Sequence, residues 1–440
     1  MRPRRRRAGA GVRPPAAGAR PWQGRGRGPT AAGGRDAVAL FVAALAVYFA
    51  TCPDATPYDQ YARLAEAVLH GTLSLPVRPP HLEMAEYQGR AYFTNPPGPA
   101  LLLVPLVWLA QLRPVAAWLA TFNDGWPLPL GHVQTALSLL LGAANVACAR
   151  VALGRIPLTR PAANWGAVLF GFGSIHWYHA TIGSVWYLAQ IVHAAAMWLL
   201  MVELLGRARP VLLGAALALA FWCRLETAVA VPFVLVACPE RWLHPMTDEL
   251  VPRPRWRWLV AFAAPLVLVL VLNSAYNWVR FGVLGNAAYE VLIAKGRGDP
   301  LFPMGHLHWS YWERHVHVLF KALPIFLEEF PWVVPSVGGT AIWITTPAFV
   351  YALRAPWDRL TGACWLGIAL FMGVLLMHGG TGMTQFGYRF ALDFYPLLVI
   401  LTLRGMDRPI RWWHAALIAV SVAVNAWGVF VLNILSIQRL

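Results

Sequence analysis

Apolar runs of roughly 15–25 residues recur from Ala37 to Leu435, with short polar stretches between them. A run of that length is what a helix needs to cross the hydrocarbon core of a bilayer. Composition agrees: 58% of the 440 residues are hydrophobic and 13% are charged, against about 25% charged in a soluble domain. A membrane β-barrel would show short alternating segments instead. The expected fold class is an all-α polytopic membrane protein of about 11–12 transmembrane helices, with loops and interfacial helices on its outer face.

The net charge of +16 comes largely from the first 36 residues, which hold ten arginines and one acid, Asp36. Rich in Gly, Pro and Ala, they cannot form a core and are expected to be a disordered basic tail, with residues 37–440 as the transmembrane domain. Such a tail could bind nucleic acid. Its position beside a span fits a cytoplasmic anchor obeying the positive-inside rule, so no nucleic-acid partner is expected. Tyr48–Pro53 lacks the small-x-small pattern of a cleaved signal. The five cysteines (Cys52, Cys148, Cys223, Cys238, Cys364) are scattered without a CxxC pair and read as small buried hydrophobes.

The first span is expected at Ala37–Thr51. Later spans are expected near Leu128–Val151, Ala162–Trp177, Val185–Leu205, Val211–Trp222, Thr227–Ala237, Leu259–Trp278, Trp332–Leu353, Leu360–Met377, Leu392–Leu403 and Trp412–Leu435. Arginines set sidedness. For Arg150, Arg155, Arg160, Arg207, Arg209, Arg253, Arg255, Arg257, Arg354, Arg359, Arg404, Arg408 and Arg411 all to lie inside, two conditions hold. Pro97–Leu112 does not cross fully, or a further crossing exists near Pro114–Phe122. Val211–Ala237 is a hairpin whose tip, Arg224–Glu226, points outward, which avoids two ionisable groups at mid-membrane.

The outer face then collects nearly every other polar cluster. The first outer loop, 54–97, holds five carboxylates: Asp54, Asp59, Glu66, Glu83 and Glu86. Tyr58–His70 has helical spacing and Gly71 as a stop, so it reads as an amphipathic helix in the interface. Asp59, Asp54 or Glu83 could take a proton from an acceptor hydroxyl. Asp59 could equally cap the helix, and Asp54 could start a turn before Pro57. Arg90 and Tyr92 could hold a sugar or phosphate, or form an ordered surface loop. Arg224 could bind phosphate bidentately or pair with Glu226. Arg280 follows a span beside Tyr276, Asn277 and Phe281, with Lys295 and Arg297 beyond. Tyr388 and Arg389 sit among Gln385, Phe386, Gly387 and Asp393. Both groups suit a phosphate-bearing lipid headgroup, and both could be interfacial anchors.

His306, His308, His315 and His317, with Glu313 between, match no zinc spacing, so no metal site is assigned. No P-loop, no GxGxxG after a strand and no GxSxG elbow occurs, which argues against nucleotide-driven chemistry. No repeat of 20–50 residues and no matched pair of broken helices occurs, which counts against inverted-repeat transporters.

These features together resemble the GT-C superfamily of membrane glycosyltransferases, on the protein-mannosyltransferase and aminoarabinose-transferase side. The resemblance rests on Asp54 and Asp59 with Tyr61, Ala62, Leu69 and Gly71, then on Gly89, Tyr92, Pro96, Pro97 and Gly98. It extends to GAALALAFWCRLETAVAVP, NWVRFG and QFGYRFALDFYP, over Ala37–Leu403. It implies a multi-pass plasma-membrane enzyme with a cytoplasmic N-terminus. Such an enzyme moves a sugar, with inversion, from a polyprenyl-phosphate carrier to a glycan, lipid or protein acceptor on the outer face. The base would map to Asp59 or Asp54, and the phosphate ligand to Arg224, Arg280 or Arg389. The chain departs from the family where many relatives have adjacent Asp-Glu: here Gln60 follows Asp59 and Ala55 follows Asp54. The acid before YxGxxY is often Asp, and here it is Glu83. No organic cofactor is implied, and a divalent metal is left open. The alternatives are a flippase for a lipid-linked sugar, which predicts charges along a central path, and a non-catalytic membrane scaffold.

Overall fold

A computed structural model describes residues 31–75, 83–122, 130–243, 254–295, 302–406 and 409–437. The basic tail up to residue 30, and Arg253, Arg297 and Arg408, lie outside the described residues. Helix α1 spans Ala31–Ala50, so it starts six residues before the expected Ala37. Helix α2, Gln60–Leu69, leads to an antiparallel hairpin of β1 (Met84–Tyr87) and β2 (Arg90–Phe93). Then follow α3 (Gly98–Ala110), α4 (Arg113–Leu119), α5 (Leu130–Leu153), α6 (Arg160–Phe172), α7 (His176–Ile182) and α8 (Val185–Leu204). Next come α9 (Pro210–Cys223), α10 (Val231–Ala237), α11 (Pro239–Trp242), α12 (Trp256–Phe281), α13 (Ala288–Lys295) and α14 (Trp312–Phe320). A second hairpin, β3 (Ile325–Phe326) with β4 (Val333–Val334), precedes α15 (Ile342–Thr345), α16 (Arg359–Leu375), α17 (Tyr395–Gly405) and α18 (Trp412–Val429).

The architecture is the expected all-α polytopic one. Among the described residues, five helical stretches are each long and apolar enough to cross a membrane: Ala32–Ala50, Leu130–Leu153, Val185–Leu204, Trp256–Phe281 and Trp412–Ile434. The other apolar runs form shorter or broken helices, among them Pro210–Cys223, Leu225–Ala237 and Arg359–Leu375. The run after Pro97 is broken too, with α3 and α4 meeting at a 98° bend. Trp332–Leu353 is not one helix. Pro335, Gly338, Gly339 and Pro347 divide it into β4, α15 and a 3-10 turn over Pro347–Arg354, because proline and glycine cannot sustain a helix interior. Helix α2 is present but does not lie flat on a surface. Seven of its ten residues are buried, and Tyr61, Leu64 and Ala65 pack with Leu103 and Val107 of α3.

One end of the bundle is held by arginine–carboxylate pairs. Arg150 and Arg160 share the carboxylate of Asp36, at 2.9 Å and at 2.6 and 2.8 Å. Arg209 binds Glu203 at 2.8 and 3.0 Å, Arg359 binds Glu240 at 2.6 Å, and Arg404 binds Asp358 at 2.5 Å. These pairs lie at the ends of α5, α8 and α17 and at the starts of α1, α6, α9 and α16. The opposite end gathers the first loop, α7, the break after α9, the segment after α12 and residues 378–394. The five cysteines are free.

Asp36→Ala leaves the buried Arg150 without its carboxylate. A loss of about 3 kcal/mol in unfolding free energy is expected, since breaking one side of a buried pair strands a charge. Denaturant titration in detergent checks it, and a change within about 0.5 kcal/mol would mark the pair as incidental.

Candidate functional site

The first hairpin is built by its turn. Gln88 and Gly89 both take positive φ, 50° and 74°, as a two-residue hairpin turn requires. Glu83, itself at φ 60°, closes the open end, where its carbonyl accepts from the Thr94 amide at 3.0 Å. That closure aims the Glu83 carboxylate inward. Oε1 accepts from Trp186 Nε1 at 2.9 Å, and Oε2 accepts from Tyr289 OH and Thr94 Oγ1, each at 3.0 Å. Trp186 opens α8 and Tyr289 lies on α13, so three separate elements hold this acid with neutral donors.

Arg389 lies next to Trp186. Its guanidinium carbon is 6.0 Å from the Trp186 ring centre and 5.1 Å from that of Phe390. The Arg389 carbonyl is fixed by Gln190 Nε2 at 2.8 Å. Gly382 at φ 90° makes room for the side chain, since a Cβ there would stand 3.0 Å from Arg389 Nε. Among the described residues, no ion pair includes Arg389.

Arg224 is different. It is the extended residue, φ −145°, at which α9 ends. Its guanidinium binds Asp393 Oδ2 at 3.0 and 3.2 Å and also meets Glu226. Asp393 is fully buried, with Oδ1 3.4 Å from His193 Nδ1, while His193 Nε2 is 2.8 Å from Thr227 Oγ1. His193 therefore stands between the Asp393 carboxylate and the Thr227 hydroxyl, bonded to the latter. Arg224 also stands over Phe390, at 5.2 Å, so the two guanidinium groups share one ring.

A line of aromatic and imidazole rings joins the two groups. Tyr289 stacks on His306 at 4.4 Å and 7°, His306 meets His378 edge-on at 4.8 Å, and His378 lies 5.4 Å from Phe390. Burial holds His306 and His378 below the ordinary imidazole range, and burial beside the Glu83 carboxylate raises the Tyr289 phenol. His315 Nε2 lies 2.7 Å from the His378 carbonyl and Nδ1 lies 2.7 Å from Tyr388 OH, so its neutral form is fully bonded. Burial pushes it down to about 4.

Of the residues expected to carry chemistry, Glu83, Arg224, Tyr388 and Arg389 converge here. Asp59 is 8% exposed and binds Arg63 at 2.5 Å, with no side-chain cap bond to α2. Asp54 is exposed in the turn after α1. Arg280 is committed elsewhere. It donates to the Phe93 carbonyl at 2.7 Å, the Tyr276 carbonyl at 3.2 Å and Asn277 Oδ1 at 3.0 Å, clamping the hairpin onto α12. Tyr92 is buried against Phe281 at 5.4 Å, and Arg90 is exposed at the hairpin turn. The histidine tract diverges, since His308 bonds Ser310 while His306 and His315 serve the ring line. Trp186, His193, Tyr289 and His378 carried no local motif that would have singled them out. A separate cavity of about 430 Å³, lined by Arg160, Pro161, Asn164, Trp165 and Val168, belongs to the arginine-rich end.

No family model matches the chain, and no curated protein matches it. Among solved structures it is similar to the Archaeoglobus fulgidus oligosaccharyltransferase in the apo form, at 11% identity and TM-score 0.44, over 90% of this chain and 55% of that one. It is similar also to that enzyme tethered by a disulfide to an acceptor peptide containing the NVT sequon, at 10% identity and TM-score 0.43, over 90% and 54%. The chain thus spans little more than half the length of the structures it resembles.

Two outcomes test the site's architecture. Asp393→Ala leaves the Arg224 guanidinium with Glu226 alone, and a loss of about 3–5 kcal/mol in unfolding free energy is expected. His315 has a folded-state value of about 4 against 6.5 when unfolded. Below pH 6.5 the unfolded chain therefore binds a proton that the folded chain refuses. Stability is full above 6.5 and falls as pH drops towards 4, by up to about 3 kcal/mol. Unfolding midpoints of the parent and of His315→Gln between pH 4 and 7 check this, and the variant is expected to show the shallower slope.

Proposed function

We propose that this protein is an inverting glycosyltransferase that takes a sugar from a polyprenyl-phosphate carrier and hands it to a hydroxyl or amide acceptor. The reaction is assigned to the end of the bundle opposite the arginine anchors, which the positive-inside rule makes the outer face of the membrane. The observation that carries the reading is one acid held by neutral donors beside one cation that no described acid neutralises. Glu83 is a carboxylate held by neutral donors, and Arg389 is a half-buried guanidinium outside every described ion pair, with Trp186 bordering both.

In this reading Glu83 is the first-loop general base. It takes the acceptor proton as the acceptor attacks the anomeric carbon, while the bond from that carbon to the carrier phosphate breaks on the opposite side. Arg389 receives the negative charge that develops on the departing phosphate. Arg224, already balanced by Asp393 and Glu226, orders the pocket floor and adds field rather than a free ligand position. Asp59, engaged by Arg63, is the weaker candidate base, and Asp54 the weakest. A lipid-linked donor fits the lack of any nucleotide-phosphate motif in the sequence. The flippase alternative needs ionisable groups along a path through the bundle. The groups here sit at its two ends instead.

The purified protein, given a panel of polyprenyl-phosphate sugars with release of carrier phosphate followed, tests the proposal. Glu83→Gln is expected to lower turnover by about 100-fold or more in protein that still folds, and Asp54→Asn to leave it intact. Arg389→Ala is expected to raise the donor KM by about 10- to 100-fold, the worth of one or two charge-assisted hydrogen bonds. Full turnover in Glu83→Gln would remove it as base. No turnover with any donor by the parent protein would remove the reaction class.

A further inference from the structure

Between α14 and α18 the protein shows a set of large apolar side chains that no described part of the chain covers. Leu323 is 65% exposed, Phe326 73%, Phe330 53% and Trp332 57%. They belong to the β3–β4 hairpin and its approach. The turn is shaped by backbone bonds, Leu327 N to Trp332 O at 2.7 Å and Trp332 N to Glu329 O at 2.8 Å, so the residues are presented by a built element rather than a loose strand end. Beside them Phe320 of α14 stacks on Trp343 of α15 at 5.9 Å and 25°. Exposed apolar side chains gathered in this way mark a surface that meets a partner or a membrane.

The position of the hairpin along α18 says what covers it. Trp427 Nε1 donates to the Val333 carbonyl at 3.1 Å, and the Trp427 ring lies 6.2 Å from Phe330 and 5.8 Å from Phe430. Helix α18 starts at Trp412, directly after Arg411 at the arginine-anchored end. Trp427 is fifteen residues further on, which is about 22 Å along a helix axis. The hydrocarbon core of a bilayer is about 30 Å thick. With Arg411 set at the near boundary and α18 crossing upright, the hairpin meets α18 within the thickness of the hydrocarbon. Its aromatic residues continue the exposed face of α18, where Val420 is 48% exposed. Glu328 and Glu329, at the tip, are exposed and able to reach back to the headgroup layer.

We propose that the segment from Leu323 to Trp332 is embedded in the membrane leaflet at the end of the bundle that holds the ring cluster, with its aromatic side chains at the boundary between headgroups and acyl chains. The partner is bilayer lipid, and the two acids at the tip favour zwitterionic over anionic headgroups. The embedded hairpin is also tied to the cluster. Helix α14 enters it directly, and His315 of α14 bonds both Tyr388 and the His378 carbonyl. This inference does not depend on the reaction proposed above.

The full chain in phosphatidylcholine nanodiscs carrying a diazirine-bearing acyl chain tests it, with adducts mapped by mass spectrometry and hydroxyl-radical footprinting run in parallel. Carbene adducts on 323–332, at yields comparable with those on the lipid-facing Val267 and Leu268 of α12, are expected. Loss of water-phase oxidation at Phe326 and Trp332 is expected with them. Oxidation of Phe326 and Trp332 without carbene adducts would place the segment in water and overturn the proposal. Protection from both reagents would mean that protein, such as a second copy of the chain, covers the patch, and would overturn it equally.

Discussion

The contact between Arg224 and the buried Asp393 is what the end of this protein opposite the arginine anchors depends on. A guanidinium at the break of α9 and a carboxylate at the head of α17 lie 169 residues apart in sequence and 3.0 Å apart in space. Neither tolerates burial alone, because an uncompensated charge in a low-dielectric interior costs several kcal/mol. Their pairing therefore fixes where α9 ends and where the turn over Arg389–Phe394 sits. Once the turn is set, Phe390 lies under both guanidinium groups, Tyr388 reaches His315, and Arg389 is turned towards Trp186. His193 and Thr227 complete the shell behind Asp393, on the side away from Arg224.

The same rule, that charge in a membrane bundle is either paired or at an end, organises the rest. At the anchored end Asp36, Glu203, Glu240 and Asp358 each take an arginine. At the opposite end the arrangement is less balanced. Arg280 is consumed in clamping the first hairpin, and Arg224 is consumed by two acids. Arg389 has aromatic rings and a backbone tether but no acid among the described residues. That asymmetry makes the end suited to receiving an anion, and the proposed reaction is built on it.

Much of the fold was readable in advance because hydropathy reports burial in lipid without reference to partners. The runs at Leu128–Val151, Val185–Leu205 and Trp412–Leu435 emerged as α5, α8 and α18 nearly as drawn. So did the break at Arg224, which the cost of two ionisable groups at mid-membrane already required. Two local features misled. The run Trp332–Leu353 is apolar enough for a span, yet its prolines and glycines divide it. The first hairpin was missed although Gln88-Gly89 between EMAEY and RAYF carries its turn. Hydropathy weighs neither case, since both depend on backbone dihedrals rather than on transfer free energy.

The amino-acid sequence by itself determined that this chain lives in a bilayer, which end is anchored by arginine, and that the remaining polar residues gather opposite. Those are sums over single residues, each set by the cost of placing its side chain in hydrocarbon. Only the tertiary structure decided which of the gathered residues meet. Asp59 and Glu83 are equally acidic in sequence, but Asp59 lies one helical turn from Arg63 and is taken by it, while the hairpin turns Glu83 towards Trp186 and Tyr289. Arg280 and Arg389 both stand among aromatics, yet one is spent on backbone carbonyls and the other is not. Partner choice is a matter of distances between segments scores of residues apart, and no local pattern in the chain encodes those distances.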